Sequence, residues 1–416
     1  MRSRACTSPI PWRPAVISNA SDIRSGTRPE WEPDSVNEVA ECVLAAARDD
    51  LPLNITGAGT AQSWGGDVEA SVSLAMKKLN SVLRYEPADM TIQVGAGMAV
   101  ADLQSVVAEY GQRLAIDAAR IDRGATVGGV VATADQGPAQ LAFGGPRDLM
   151  IGAGLIFADG SIARSGGHVI KNVAGYDLAR MMSGSLGSLA ILTDVTFRLH
   201  PVATATGTLS REVGIDQAAA DAQAIGDAGL EPVAAEWISG QLLVRFEGTQ
   251  TGCQERLQAA ARLIGADAVT LAADDAACVW KRHRDVSRPG ANGNVPATIV
   301  RGLVRPSDVS ALSKAADRIG RETEAIVTVA AGVSTGRVDM RIESTSALAH
   351  ARTVAKWRQE VETLGGAMVL RDRPRTLTGL VDAWGTPPSA VEVLRAIKSA
   401  YDPGDVFGRG RFYPWF

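Results

Sequence analysis

The sequence predicts a mixed α+β chain of more than one domain, and three observations carry that expectation. Its 416 residues exceed one ordinary hydrophobic core, since a domain takes roughly 100 to 200 residues. Helical and strand-like periodicities interleave along its length. Glycine clusters follow short strand patterns in the first half, whereas alanine-rich helical patterns alternate with short strands after Pro201.

Residues 1 to 26 read as a polar, proline-interrupted tail. Ser35 and Glu38 then have capping-box spacing, and Val36, Val39, Ala40, Val43, Leu44 and Ala47 keep the helical period before Pro52. Leu53 to Thr56 reads as a strand running into the glycine loop GAGTAQSWGG. A second unit repeats the order: Thr91 to Val94 as strand, Gly95-Ala96-Gly97 as turn, and a helix with Val100, Leu103, Val107 and Tyr110 on one face. A third glycine cluster is ATVGG at 125 to 129. Between Gly152 and Pro201, an Asp159-Gly160 hairpin joins two apolar runs, and the chain closes on a strand alternating through Val195, Phe197 and Leu199. The polar stretch between is punctuated by Gly166, Gly167, Gly175, Gly184 and Gly187, while Lys171, Asn172, Tyr176 and Asp177 supply charge, amide, ring and carboxylate. Backbone freed of side-chain bulk beside such groups suits a large polar cofactor.

Beyond Pro201, strand-like runs such as LLVRF at 242 to 246 and AIVTVAA at 325 to 331 alternate with helices and predict a second domain. The last segment carries a helix through Val391, Leu394 and Ile397 and ends in YDPGDVFGRGRFYPWF. Its closing aromatics predict a docked terminus, because a frayed tail would leave them in water. No internal repeat is evident.

Composition removes several function classes. A formal net charge of −4 argues against a broad polyanion-binding surface, so nucleic acid is not expected. Apolar residues make up 46% and charged residues 21%, yet no apolar run approaches the length of a membrane span; a soluble, cytoplasmic protein is the expectation, with membrane association only through partners. The four cysteines show no CxxC pair or cysteine–histidine spacing, which predicts reduced packing thiols and neither zinc nor an iron–sulfur cluster.

Three Gly-Ala-Gly triplets invite a dinucleotide fingerprint, but their sixth positions are Gln62, Val100 and Phe157, where close helix–strand packing wants glycine or alanine. A nicotinamide-binding Rossmann domain is therefore disfavoured. Successive amides in glycine loops can still form a concavity for pyrophosphate. The ordered set Thr56-Gly57-Ala58-Gly59-Thr60, Thr126-Val127-Gly128-Gly129, Gly145-Pro146-Arg147-Asp148, Ala158-Asp159-Gly160, Lys171-Asn172-Val173-Ala174-Gly175-Tyr176-Asp177 and Gly184-Ser185-Leu186-Gly187-Ser188-Leu189 resembles the vanillyl-alcohol-oxidase-type, or PCMH-type, FAD-binding family. Within it, KNVAGYDLARMMSGSLG and the terminal DPGDVFGRGRFYP most resemble the E subunits of bacterial glycolate oxidases.

The resemblance implies a two-subdomain α+β FAD-binding domain over 27 to 200, an α+β cap with an antiparallel sheet over 201 to 380, and a segment from 381 to 416 returning to the FAD domain. It implies that Thr56, Gly57, Ala58, Gly59 and Thr60, together with Thr126, Gly128 and Gly129, lie on the FAD pyrophosphate. It also implies that the strand from Leu189 to Leu192, with Leu189 and Ile191, passes along the cofactor through backbone contacts, and that Lys171, Asn172, Tyr176 and Asp177 stand near the flavin. Oxidation of a 2-hydroxy acid such as glycolate or D-lactate would follow, with hydride passing to flavin N5 and electrons leaving through a larger flavin subunit and an iron–sulfur subunit.

This chain departs from its relatives in two places. The first glycine loop, GAGTAQ, has no histidine for covalent attachment, so FAD is expected to be non-covalent. Hydroxy-acid dehydrogenases of the family it resembles usually carry a GDGNxH-type segment in the cap, whose histidine helps place a metal; the nearest counterpart here, Ala331 to Arg337, has no acid or histidine, so no metal is expected. Of the four histidines, His168, His200 and His350 read as surface or packing residues. His283, in WKRHRD with Arg282 beside it, is the candidate base next to a carboxylate-holding cation. Arg371, Arg373 and Arg375 form a second basic cluster. A non-catalytic flavin-binding or electron-relay subunit and a standalone oxidase of a sugar or alcohol remain alternatives.

Overall fold

The computed structural model describes residues 28–169, 176–290 and 295–416. The expected tail, and Lys171 and Asn172, lie outside these residues. The chain begins with a parallel three-stranded sheet in the order Glu30–Trp31, Val72–Ala75, Leu53–Thr56, against which helix Val36–Arg48 packs. Ser35 starts that helix by accepting from the Glu38 amide at 3.3 Å, and the Glu38 carboxylate accepts from the Asp34 amide at 3.0 Å. The reciprocal cap therefore closes one residue earlier than the sequence pattern implies. Val39, Cys42, Val43 and Ala46 form the buried face, while Leu44 is half exposed.

A five-stranded antiparallel sheet follows, in the order Val82–Glu86, Thr91–Gly95, Ile191–Arg198, Met150–Ile156, Ile162–Gly166. Helix Val100–Ala108 buries Val100, Leu103 and Val107 in the core of this sheet. Tyr110 lies past the end of the helix and stays exposed. Short helix Val127–Thr133 contributes Val127, Val130 and Val131 to the same core.

The eight-stranded sheet is antiparallel throughout and runs Val269–Thr270, Ala205–Glu212, Gln241–Gly248, Ala234–Ile238, Ile326–Gly332, Arg337–Glu343, Ala297–Leu303, Ala367–Asp372. Its order is palindromic. Each half is a strand, a helix, two strands, a helix and a closing strand, and the second strands of the two halves meet at the centre through the Trp237–Ala331 pairing. The sequence shows no repeat because a repeated topology constrains where apolar residues fall, not which ones are used.

One face of this sheet takes helices Ile215–Asp227, Gln250–Ile264, Val309–Thr323 and Ala347–Thr363, with Phe246, Val300, Val338, Met340, Leu370 and Trp357 in their shared core. Successive strand residues point to opposite faces, so Glu236, Arg301, Arg337, Asp339 and Arg371 face the other way, towards the glycine loops. There they are buried as an ionic lattice. Arg301 grips Asp339 with two bonds of 2.7 and 3.0 Å, Arg337 reaches Glu236 at 2.6 Å and also pairs with Asp339, and Arg371 pairs with Asp135 from the first domain. Arg120, also from the first domain, pairs with Asp372.

Burial opposes ionisation of Asp135, Glu236 and Asp339, but the arginines around them outweigh it and hold all three carboxyls below their usual range. These groups stabilise the fold fully above the unfolded carboxylate pKa of about 4. That stability disappears as pH falls through their depressed folded values. Acid denaturation should therefore begin only below about pH 4, the unfolded carboxylate value. Asp339→Asn, which takes from buried Arg301 the carboxylate it grips with two bonds and leaves Arg337 with Glu236 alone, should cost about 3–5 kcal/mol and flatten the acid limb; urea titrations across pH measure both.

Candidate functional site

The strand Leu53–Thr56 ends in the first glycine loop, which forms one wall of a cleft of about 770 Å³ including its open mouth. Thr56, Gly57, Ala58, Gly59 and Thr60 all line it, as do Thr126, Gly128 and Gly129 from the third glycine cluster, and Ser185, Leu186 and Gly187 opposite. The expected pyrophosphate residues therefore share one cavity. The two loops touch: a Cβ on Gly57 would overlap the Thr126 side chain. Gly59 has a different reason to be glycine, because its φ of +70° is left-handed while space around it is open.

The loops differ in what they can donate. The Gly129 amide is spent on Thr126 Oγ1 at 3.3 Å, and those of Val127 and Gly128 on Met98 and Ala96 carbonyls, both at 2.8 Å. No acceptor takes the amides of Ala58, Gly59 or Thr60 among the described residues. The first loop therefore holds the free donors, and the second supplies a close, side-chain-free wall. A sizeable cleft with unspent backbone donors and little side-chain bulk fits a dinucleotide diphosphate.

The C-terminal segment completes this wall. Leu53 donates to the Val406 carbonyl at 2.7 Å, Gly66 to that of Arg411 at 2.8 Å and Glu69 to that of Arg409 at 2.9 Å. Lys398 bonds the Ser188 and Phe407 carbonyls at 3.0 and 2.9 Å. Trp384, Phe412 and Phe416 stack in succession, with centroids 4.7 and 5.0 Å apart, so the terminus is docked as its aromatics predict.

Other expected cofactor residues fall elsewhere. The segment from Leu189 to Leu192 runs along the cleft, which the side chains of Ala190 and Leu192 line, while those of Leu189 and Ile191 are buried in hydrophobic cores and do not line it. Tyr176 is 91% exposed, and Asp177 caps helix Leu178–Met181 by accepting from Arg180 at 3.2 Å; neither lines the cleft. Arg411, which does line it, escaped sequence reasoning because it lies 354 positions from Gly57.

A second cavity of about 460 Å³ lies at the seam between the first domain and the eight-stranded sheet, lined among others by Asp117, Arg245, His283, Arg284, Arg301 and Arg337. His283 is buried on helix Ala273–Val286, with Nε2 2.8 Å from Glu236 Oε2. Arg282 does not line this cavity. One helical residue away from His283, it turns outward, is exposed and bonds Gln241, whereas Arg284 lines the cavity. Arg284 Nε makes no hydrogen bond, and its carboxylate neighbour Asp122 stands 3.4 Å away. Of the remaining histidines, His168 meets Gln93 at 3.0 Å, His200 packs edge-on against Phe143, and His350 bridges Thr298 and Ser344. The expected basic cluster is divided: Arg371 is buried in the lattice, Arg373 binds the carbonyls of Ser63 and Gly65, and Arg375 begins a short turn. No group of three histidine, cysteine or acidic side chains that could hold a metal occurs among the described residues.

A family model described as an FAD binding domain matches residues 31–166. Glycolate oxidase subunit GlcE of Escherichia coli is 29% identical over 280 residues, covering 67% of this chain and 75% of that protein. Glycolate oxidase subunit GlcD of Bacillus subtilis is 29% identical over 217 residues, which is 52% of this chain and 46% of that one. A D-lactate dehydrogenase of Archaeoglobus fulgidus is 31% identical over 171 residues, 41% of this chain and 38% of that one. The chain thus spans three quarters of the first relative and under half of the other two. Among solved structures, alkyldihydroxyacetonephosphate synthase superposes with a TM-score of 0.69 over 91% of this chain and 76% of that chain at 14% identity, a likeness of fold.

Because Gly57 packs on Thr126, Gly57→Val should force the two loops apart and lower FAD retention, read as the flavin-to-protein absorbance ratio after gel filtration. Retention equal to wild type would contradict the loop contact. The chain carries a PCMH-type FAD-binding domain and is an FAD-dependent oxidoreductase related to the glycolate oxidase subunits and the D-lactate dehydrogenases.

Proposed function

We propose that this chain is the FAD-binding subunit of a 2-hydroxy-acid oxidation system, acting on a small acid such as glycolate or D-lactate and passing electrons to a partner. The names of its relatives, a glycolate oxidase subunit and a D-lactate dehydrogenase among them, support the substrate class. A larger flavin subunit and an iron–sulfur subunit are the partners this reading calls for. No helix of the described residues is long and apolar enough to cross a membrane, so membrane attachment in this reading would come through a partner.

The observation that carries the reading is the seam cavity, where a histidine and several guanidiniums converge. Bound FAD supplies the two-electron acceptor for the substrate's α-hydrogen. Arg284 is the cation most open to a substrate carboxylate, since its present contact with Asp122 is long and half exposed. Glu236 engages His283 Nε2, leaving Nδ1 without a partner among the described residues. A carboxylate on one ring nitrogen fixes the proton there and leaves the other free to accept. His283 would then take the hydroxyl proton while the Glu236 contact holds the ring in place.

One observation favours a flavin-binding accessory subunit instead. The cavity's arginines already have carboxylate neighbours, Arg245 facing Asp117 at 3.2 Å, Arg301 facing Asp339 and Arg337 facing Glu236. A substrate carboxylate must therefore compete with resident acids. Anaerobic addition of glycolate or D-lactate to the purified yellow protein separates the two readings. Bleaching by the chain alone supports catalysis, bleaching only when partner chains are added supports the accessory role, and failure to bind FAD contradicts both. His283→Asn should lower turnover about a hundredfold or more with flavin content unchanged; unaltered turnover would remove His283 from the reaction.

A further inference from the structure

Arg411 is the one ionisable side chain among the described residues lining the first cleft. It is only 5% exposed, and no carboxylate stands within ion-pair distance of it among the described residues. Its Nη1 donates to the carbonyls of Gln62, Trp64 and Gly66 at 2.9, 2.7 and 3.3 Å, and Nη2 to Gln62 Oε1 at 3.4 Å. Its Nε is buried without any partner. Burial, reinforced by Arg373 nearby, pushes its guanidinium down to about 10.

A buried cation satisfied by neutral carbonyls alone is costly, because a carbonyl offers a partial charge where a carboxylate offers a whole one. Every arginine of the ionic lattice has a carboxylate; Arg411 does not. Its position is nevertheless firmly fixed. The Arg411 carbonyl accepts from Gly66 at 2.8 Å and from Trp384 Nε1 at 2.8 Å, and a Cβ on Gly66 would overlap the Gly410 carbonyl. The terminal segment and the first glycine loop are thus built around this side chain. The same cleft exposes the unspent amides of Ala58, Gly59 and Thr60, which are donors without a full positive charge. Its intended ligand carries a diphosphate with two negative charges, and no other cation faces it among the described lining residues.

We propose that Arg411 is the countercharge for the diphosphate of FAD, so that the C-terminal segment contributes a side chain to the cofactor site. This rests on FAD as the cofactor and not on the identity of the substrate. The three carbonyls hold the guanidinium in place, Asp67 acts on it only at a distance while pairing with Arg373, and the diphosphate supplies the direct ion-pair partner.

The test uses full-length apoprotein, prepared by removing flavin from the purified chain, and measures its affinity for FAD, ADP and riboflavin at low and high salt. Loss of one charge-assisted contact should weaken FAD and ADP binding to Arg411→Gln about ten- to a hundredfold. Riboflavin, which lacks phosphate, should bind both proteins equally. Arg411→Lys should recover most of the affinity, and high salt should weaken ADP binding to wild type more than to Arg411→Gln. If FAD and ADP bind the variant as tightly as wild type, or if riboflavin is weakened to the same degree, Arg411 has no role towards phosphate. Should Arg411→Gln fail to fold, the lysine variant and the salt dependence of wild type decide alone, and salt-insensitive ADP binding would overturn the proposal. A wild-type apoprotein that binds none of the three would instead contradict the cofactor assignment.

Discussion

At the seam between the two halves of the molecule, the guanidiniums of Arg120, Arg301, Arg337 and Arg371 alternate with the carboxylates of Asp135, Glu236, Asp339 and Asp372. Removing such groups from water costs several kcal/mol per ion before pairing returns it, so the lattice tolerates little rearrangement. It reaches the cofactor loop through Arg120, whose Nε donates to the Thr60 carbonyl at 3.0 Å, and through Ser63, which donates to Asp372 at 2.8 Å. Arg120 and Arg371 both lie on Trp64, with their charged carbons 4.2 and 3.8 Å from its ring centre. The loop that presents free amides to the cleft is thereby fastened to the far edge of the eight-stranded sheet, where Gly65 also donates to the Leu370 carbonyl.

That arrangement makes the cap part of the support of the cofactor site. Its outer face is a helix-covered hydrocarbon core, and strand alternation turns every second residue to its inner face, which carries the ion pairs beside a small apolar patch of Ile238, Leu243 and Ala330 under helix Ala273–Val286. The seam cavity with His283 opens into this charged layer. Under the function proposed above, a substrate entering there would meet groups already paired, so binding would involve exchange of partners more than capture by a bare cation. Such a site would discriminate by geometry, since an imperfectly placed ligand would leave a displaced carboxylate buried without a partner.

Much of this was legible in the sequence. Ser35 and Glu38 marked the first helix, the strand before the first glycine loop ended where expected, and Gly57 to Thr60 and Thr126 to Gly129 met in one cleft. These are local signals: caps, turns and glycine positions depend on a few neighbouring residues. A choice of face was less legible. The segment from Leu189 to Leu192 runs along the cleft as expected, but neither which of its side chains line it nor that Arg284 rather than Arg282 lines the seam cavity could be read, because periodicity fixes which residues share a face but not which face meets the cavity. The palindromic sheet was invisible for a related reason, its halves having a common strand order without common residues.

The sequence by itself determined which loops converge on the cleft, since glycine spacing governs how closely backbone can approach a phosphate, and the order of its motifs carried the resemblance that implied FAD. Tertiary structure alone decided the charge around those loops. Arg411 lies at the far end of the chain from the first glycine loop, and Asp135 is separated from Arg371 by 236 positions. Long-range electrostatic partners follow from how strands pair across the sheets and how the terminus returns, and neither leaves a local mark on the residues involved.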